Sequence, residues 1–133
     1  PETGRILAGA RISTESLEFA NTLKLMKERA LTSSFGRNSG RRENTSLVVV
    51  ATDAKLNKVQ AARLAQSASQ GMVRAIRPVH MGMDGDIAFA LSYGDLSMPL
   101  DVLGIAAAEA TAEAIARAVK SAKSLGGVPG LAG

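Results

Sequence analysis

The amino-acid sequence predicts a layered α/β fold, and three observations carry that expectation. SLVVVATD at 46–53 and DIAFALS at 86–92 are nearly continuous apolar runs, the pattern of strands buried on both faces. Amphipathic stretches with helical spacing lie after the first run and on both sides of the second. Aromatic residues make up 3% of the chain and Trp is absent, so the core must be built from Ala, Val, Leu, Ile and Met. Such side chains pack well where layers approach closely. At 133 residues the length suits one compact domain rather than two.

The elements follow in order. RILAGA at 5–10 is a short apolar run after a turn-like start and predicts a strand. Thr14 or Ser16 is a candidate cap for a helix over 15–30, with Leu17, Ala20, Leu23, Met26 and Ala30 on one side. TSSFGRNSGRREN at 32–44 has no apolar period and reads as a flexible, exposed loop. Strand 46–53 leads to Asn57, a cap for a helix over 57–77 that Pro78 stops. The apolar stripe of that helix is Ala61, Ala65, Ala68, Met72 and Ile76. After VHMGMDGD comes strand 86–92. Pro99 or Asp101 then opens a helix reaching to about Lys123, with Ile105, Ala108, Ala112, Ile115, Val119 and Ala122 on its packed face. The two strands should be neighbours, with these two helices on a common side. The Gly- and Pro-rich end is expected to fray.

Composition narrows the chemistry. With no Cys, disulfides, thiolate nucleophiles and zinc–sulfur sites are excluded. The net charge of +4 is concentrated upstream: residues 1–44 hold eight Lys/Arg against five Asp/Glu, and residues 45–133 hold eight against seven. The surplus sits at Arg37, Arg41 and Arg42 beside a single aromatic, Phe35, which describes a solvated loop better than a nucleic-acid surface. There is no secretory pattern and no apolar run of membrane-spanning length, so the expectation is a cytoplasmic protein with no membrane or nucleic-acid partner.

The junction RRENTSLVVVATD carries the strongest chemical signal. A basic loop runs directly into an apolar strand whose first residue, Thr45, bears a hydroxyl and follows Asn44. If the bond before Thr45 breaks, the residue gains a free α-amine beside its own hydroxyl. Such an amine has a pKa of about 7.7–8.0 and can serve as general base for the hydroxyl near neutral pH. A strand that merely begins with Thr has the same local sequence. A second signal is MDGD at 83–86, where a tight turn can aim Asp84 and Asp86 at one point; an ordinary Asp-Gly turn reads the same way. His80, the single histidine, reads as a residue satisfied by hydrogen bonds, and Met81 and Met83 as packing or pocket-lining residues. Two acids and one His are a thin donor set for a metal, and no metal or other cofactor is expected.

Together these features resemble the L-aminopeptidase/D-esterase family, which includes β-peptidyl aminopeptidases and nylon-oligomer (6-aminohexanoate) hydrolases. The matching elements occur in order over residues 1–124: Asn-Thr before a strand, VVATDA, a helix ending AIRP, His80, DGD, FALS and an Ala-rich final helix. The resemblance implies a four-layer αββα sandwich, shared with ornithine acetyltransferase. It implies self-cleavage between Asn44 and Thr45, with Thr45 as amino-terminal nucleophile and Asp84 and Asp86 helping to orient it. Residues 1–44 would then be the tail of a larger subunit and 45–133 the small subunit. An Asn and a Lys that complete the active site would come from the larger subunit. The implied assembly is a homo-oligomer of paired subunits. The implied activity is hydrolysis of short peptides, amino-acid amides or amide oligomers. Two other readings stay open: an acyltransferase of the ornithine acetyltransferase type, and a non-catalytic α/β module on the same scaffold.

Overall fold

The computed structural model describes residues 4–13, 16–31, 45–82 and 84–133. The expected loop at 32–44, the cap at Thr14, Asn44 and Met83 lie outside those residues. The chain divides into two compact units rather than one, Asn44–Ala116 and the terminal segments Pro1–Glu43 with Arg117–Gly133. The physical reason is that the strands and their helices close a core of their own, whereas the terminal segments are held by contacts among themselves.

In the central unit, β1 (Leu47–Ala54), α2 (Lys58–Ala75) and β2 (Ile87–Leu96) form a parallel β-α-β arrangement, after α1 (Thr22–Leu31) and before α3 (Leu100–Ser121). Asn57 caps α2 as expected. Its side chain accepts the Gln60 N–H at 2.9 Å while the Gln60 side chain accepts the Asn57 N–H at 2.9 Å, a reciprocal box that satisfies two otherwise orphaned donors. α2 ends at Ala75, ahead of Pro78, because the residue before a proline is pushed out of helical geometry. The register runs Leu47 against Ile87 through Thr52 against Ser92 and then slips by a bulge before Ala54. Gly94 sits at the slip, and a Cβ there would collide with the Asp53 backbone. Ser92 closes the end of β1: its hydroxyl donates to the Ala54 carbonyl at 2.7 Å and accepts the Leu56 N–H at 3.0 Å.

Both helices pack on one face of the sheet, as the sequence predicts. Leu64, Ala68 and Ala107 are buried there, with Val48, Val50, Leu56, Ala88, Ala90 and Leu103 against them. The expected face of α3 is right in part: Ala108 is buried and Ala112, Ile115 and Val119 are half-buried, but Ile105 is 59% exposed, and the packed face is rotated to include Gly104, Ala107 and Thr111. The approach of the two helices explains the rotation. A Cβ on Gly104 would come within 2.8 Å of Ser67 Oγ, and one on Gly71 would meet the Ala108 carbonyl and the Thr111 side chain, so these two positions of the seam admit only glycine without a shift.

Within the described residues the strands are packed on one face, and the second face of the sheet is apolar, as the two-sided apolar runs predict. Along β1 and β2 exposed and half-buried residues alternate. Leu47, Val49, Ile87, Phe89, Leu91 and Tyr93 form an apolar face that no described residue covers.

In the terminal unit the strand expected over 5–10 is absent. RILAGA lacks a partner strand among the described residues, and the local pairing is a bridge between Arg11 and Phe19. The helix expected over 15–30 begins only at Thr22. Ser16 Oγ accepts the Glu18 N–H at 3.0 Å in a local turn, and the cap is Asn21, whose side chain accepts the Lys24 N–H at 3.0 Å. The chain end does not fray but folds back, with a bridge between Leu125 and Val128 and the Ala132 N–H donating to the Ala122 carbonyl at 3.0 Å.

Candidate active site

Parallel pairing brings the two chemical signals of the sequence together. Leu47 lies opposite Ile87, so two residues upstream on each chain Thr45 lies beside Gly85. The contact is close: a Cβ on Gly85 would stand 2.7 Å from Thr45 Oγ1. Paired residues of parallel strands point to the same side, and this pair continues the series of Leu47 with Ile87 and Val49 with Phe89. Thr45 therefore stands at the rim of the open apolar face, and the residue is exposed.

The residue after Thr45 is held from two directions. The Ser46 N–H donates to Asp86 Oδ1 at 2.7 Å, and the Ser46 carbonyl accepts the Ile87 N–H at 3.0 Å. Asp86 Oδ2 accepts the His80 N–H at 3.0 Å. The His80 N–H is the main cause that holds the Asp86 carboxyl below its ordinary value; partial burial opposes it and the Ser46 N–H adds to it. Asp86 thus grips the backbone beside the hydroxyl. Asp84 is engaged in its own turn: Oδ2 accepts the Met81 N–H at 2.9 Å, and the Asp84 N–H donates to the Met81 carbonyl at 2.9 Å. Of the residues singled out from sequence, Thr45, Asp84 and Asp86 gather around the start of the two strands. The carboxylates bond to Ser46, His80 and Met81, and Gly85 between them meets the Thr45 hydroxyl.

His80 is hydrogen-bonded, as its sequence context suggests: Nε2 lies 2.7 Å from Ser69 Oγ on α2. Its backbone is left-handed, with φ of 55°. Ser69 and Gly85 are site residues that sequence reasoning missed. Ser69 reaches His80 only because the chain turns after Pro78. Gly85 did leave a signal, a glycine between two acids, but one that an ordinary turn shares. Among the described residues no three His, Asp or Glu side chains converge as metal ligands do, and no helix is long and apolar enough to cross a membrane.

Comparison with known proteins places this geometry in context. A model of peptidase family S58 matches residues 6–132. An uncharacterized aminopeptidase of Mycobacterium leprae is 38% identical over 101 residues, covering 65% of this chain and 28% of that protein. An uncharacterized aminopeptidase of Mycobacterium tuberculosis strain H37Rv is 34% identical over 101 residues, covering 65% of this chain and 29% of its own length. A 6-aminohexanoate-oligomer endohydrolase of a Kocuria species is 30% identical over 56 residues, covering 42% of this chain and 16% of that protein. The matched part of the chain therefore spans under a third of each of these relatives. No solved structure matches the chain. These relatives agree with the resemblance to the L-aminopeptidase/D-esterase family.

Proposed function

The chain belongs to peptidase family S58, and from that premise we propose that it carries the nucleophile of a self-cleaving amide hydrolase. The nucleophile is Thr45. The observation that carries this reading is the contact of the Thr45 hydroxyl with Gly85, beside a Ser46 peptide gripped by Asp86 and Ile87. A hydroxyl on a fixed backbone, at an exposed strand end, is poised to react with a carbonyl brought to it.

Self-cleavage proceeds by an N-to-O acyl shift. Thr45 Oγ1 attacks the carbonyl carbon of Asn44, the C–N bond breaks, and the acyl group passes to oxygen while the nitrogen takes the proton. Water then opens the ester, leaving a carboxylate on Asn44 and a free amine on Thr45. In turnover that amine accepts the hydroxyl proton as Oγ1 attacks a substrate amide, and it returns the proton to the departing amine. Water releases the acyl group in a second attack. Asp86 keeps the strand end still throughout. Asp84 closes the turn that sets where Gly85 meets the hydroxyl.

Substrates of this reading are unhindered amides: short peptides cut at their amino terminus, amino-acid amides, or linear amide oligomers. The names of the relatives, aminopeptidase and 6-aminohexanoate-oligomer endohydrolase, support that class. The open sheet face supports a further part of the proposal, that a second sheet from preceding sequence covers it to complete an αββα sandwich. Fully burying a Leu, Ile, Val or Phe side chain contributes roughly 1.5–3 kcal/mol. Six partly exposed apolar side chains, even discounted by half, then represent an appreciable share of the roughly 5–15 kcal/mol stability of a domain. The preceding part would act as the larger subunit, and pairs of subunits would assemble further.

Amino-terminal sequencing and intact mass of the full-length protein test the proposal. A fragment beginning at Thr45 is expected, and Thr45→Ala should leave one uncut, folded, inactive chain. Thr45→Ser should still cut. A fragment beginning at Ser46, or full activity in an uncut chain, overturns the assignment.

A further inference from the structure

The geometry points to Ser69 and His80 as positioning residues that act through Asp86 to set the angle at which Thr45 presents its hydroxyl. The inference rests on the reading of Thr45 as nucleophile and extends the site back into α2. Four groups form one continuous tether. Ser69 Oγ and His80 Nε2 share a hydrogen bond of 2.7 Å, its direction set by the ring tautomer. The His80 N–H reaches Asp86 Oδ2 at 3.0 Å, and Asp86 Oδ1 receives the Ser46 N–H at 2.7 Å. The first link rises from α2, where Ser69 is half-buried and follows the fully buried Ala68. The last link is the residue next to Thr45.

The middle of the tether is strained. His80 holds φ at 55°, a region that side-chain-bearing residues seldom adopt and that persists where surrounding bonds impose it. Here a bond on each side imposes it: the ring is held by Ser69 and the backbone N–H by Asp86. The left-handed turn is what aims that N–H at the carboxylate. Without the Ser69 hydroxyl the ring is released, His80 can relax toward ordinary backbone angles, and its N–H leaves Asp86. Asp86 then keeps only the Ser46 link and gains freedom to rotate, and the strand end moves with it. Helix α2 loses nothing by the change, because Ala is the strongest helix former.

The test uses the full-length protein and three readouts: the rate of cleavage before Thr45, kcat and KM on an amino-acid 4-nitroanilide, and the thermal unfolding midpoint. Ser69→Ala should slow cleavage and kcat about tenfold, in keeping with the cost of small misplacements at a reacting centre, while KM and the midpoint hold. Ser69→Thr, which keeps the hydroxyl, should restore both rates to within about twofold. Combining Ser69→Ala with His80→Ala should be no slower than His80→Ala alone, since both cut the same tether. Parental rates in Ser69→Ala overturn the inference and leave Thr45 as nucleophile untouched. So does a loss that follows a lowered midpoint and that Ser69→Thr does not reverse. A parent protein that never cuts before Thr45 overturns both.

Discussion

The two faces of the β1–β2 sheet are both apolar and opposite in environment. On one, Val48, Val50, Ala88 and Ala90 pack against Leu64, Ala68 and Ala107. On the other, Leu47, Val49, Ile87, Phe89 and Leu91 stand between 44% and 69% exposed. The packed face uses small residues because the helices lie close, and the open face carries the larger ones. The difference teaches where the proposed chemistry is divided. Asp86 and its hydrogen bonds to His80 and Ser46 hold the backbone, whereas the Thr45 hydroxyl follows the register of the open side. A substrate and a covering layer would meet at that second face.

The sharpest way to break this comparison is to truncate one residue on each face of the full-length protein. Leu64→Ala should cost about 2–5 kcal/mol, the range for a buried leucine that leaves a cavity. If a second layer covers the open face, Phe89→Ala should cost a comparable ~3–5 kcal/mol. Urea unfolding of both variants measures this. A Phe89→Ala cost within about 0.5 kcal/mol of zero, the ordinary surface value, would mean that the face stays open and that the sandwich is wrong.

How far the sequence reached follows the same division. The strands, α2 and its cap at Asn57 were legible because each rests on local pattern: apolar runs, a 3.6-residue stripe, a capping side chain. The meeting of Thr45 with the 84–86 turn was legible only through the family resemblance, since nothing local states that β1 and β2 pair in parallel with Leu47 opposite Ile87. What stayed hidden depends on contacts distant in sequence. The packed face of α3 is centred by the close approach of Gly104 to Ser67 and of Thr111 to Gly71, so a stripe counted from Ile105 caught Ala108 but not Gly104, Ala107 or Thr111. The strand expected at 5–10 failed because an apolar run is not enough without a neighbour to pair with. Ser69 gave no sign because its partner, His80, lies beyond the end of its helix.

A smaller effect is expected at Gly85, the point where the acid-bearing turn touches the open-face hydroxyl. Gly85→Ala would place a Cβ 2.7 Å from Thr45 Oγ1, closer than such atoms stand. The atom in the way is the end of a rotatable side chain, so Thr45 can turn aside with little loss of stability. Its hydroxyl would then leave the reactive angle. Cleavage before Thr45 and turnover should both slow by about 10–100-fold, with the unfolding midpoint within a few degrees of the parent. Time courses of chain cleavage read this directly. Unchanged kinetics would mean that the hydroxyl works from another rotamer and that its contact with Gly85 is incidental.

The smallest effect concerns Asp86 and the pH dependence of folding. Its carboxyl is held below the ordinary value of 3.8, first by the His80 N–H and also by the Ser46 N–H, against the opposing effect of burial. A carboxyl with a lowered folded pKa binds its proton less readily in the folded state than in the unfolded chain. Its contribution to stability is therefore fully present above the unfolded value and is lost as pH falls through the folded one. Asp86→Asn cannot titrate and also presents an amide where a carboxylate received N–H groups. The thermal midpoint of the parent should exceed that of Asp86→Asn by a constant margin down to about pH 5, and the margin should narrow steadily below about pH 4. The site is partly open to water, so the margin is a few degrees at most. Unfolding scans of both proteins between neutral pH and about pH 2 measure it. A margin that stays level across the acid range would mean that the carboxylate's charge contributes nothing to holding Ser46 and His80, and that their N–H groups are satisfied as well by a neutral acceptor.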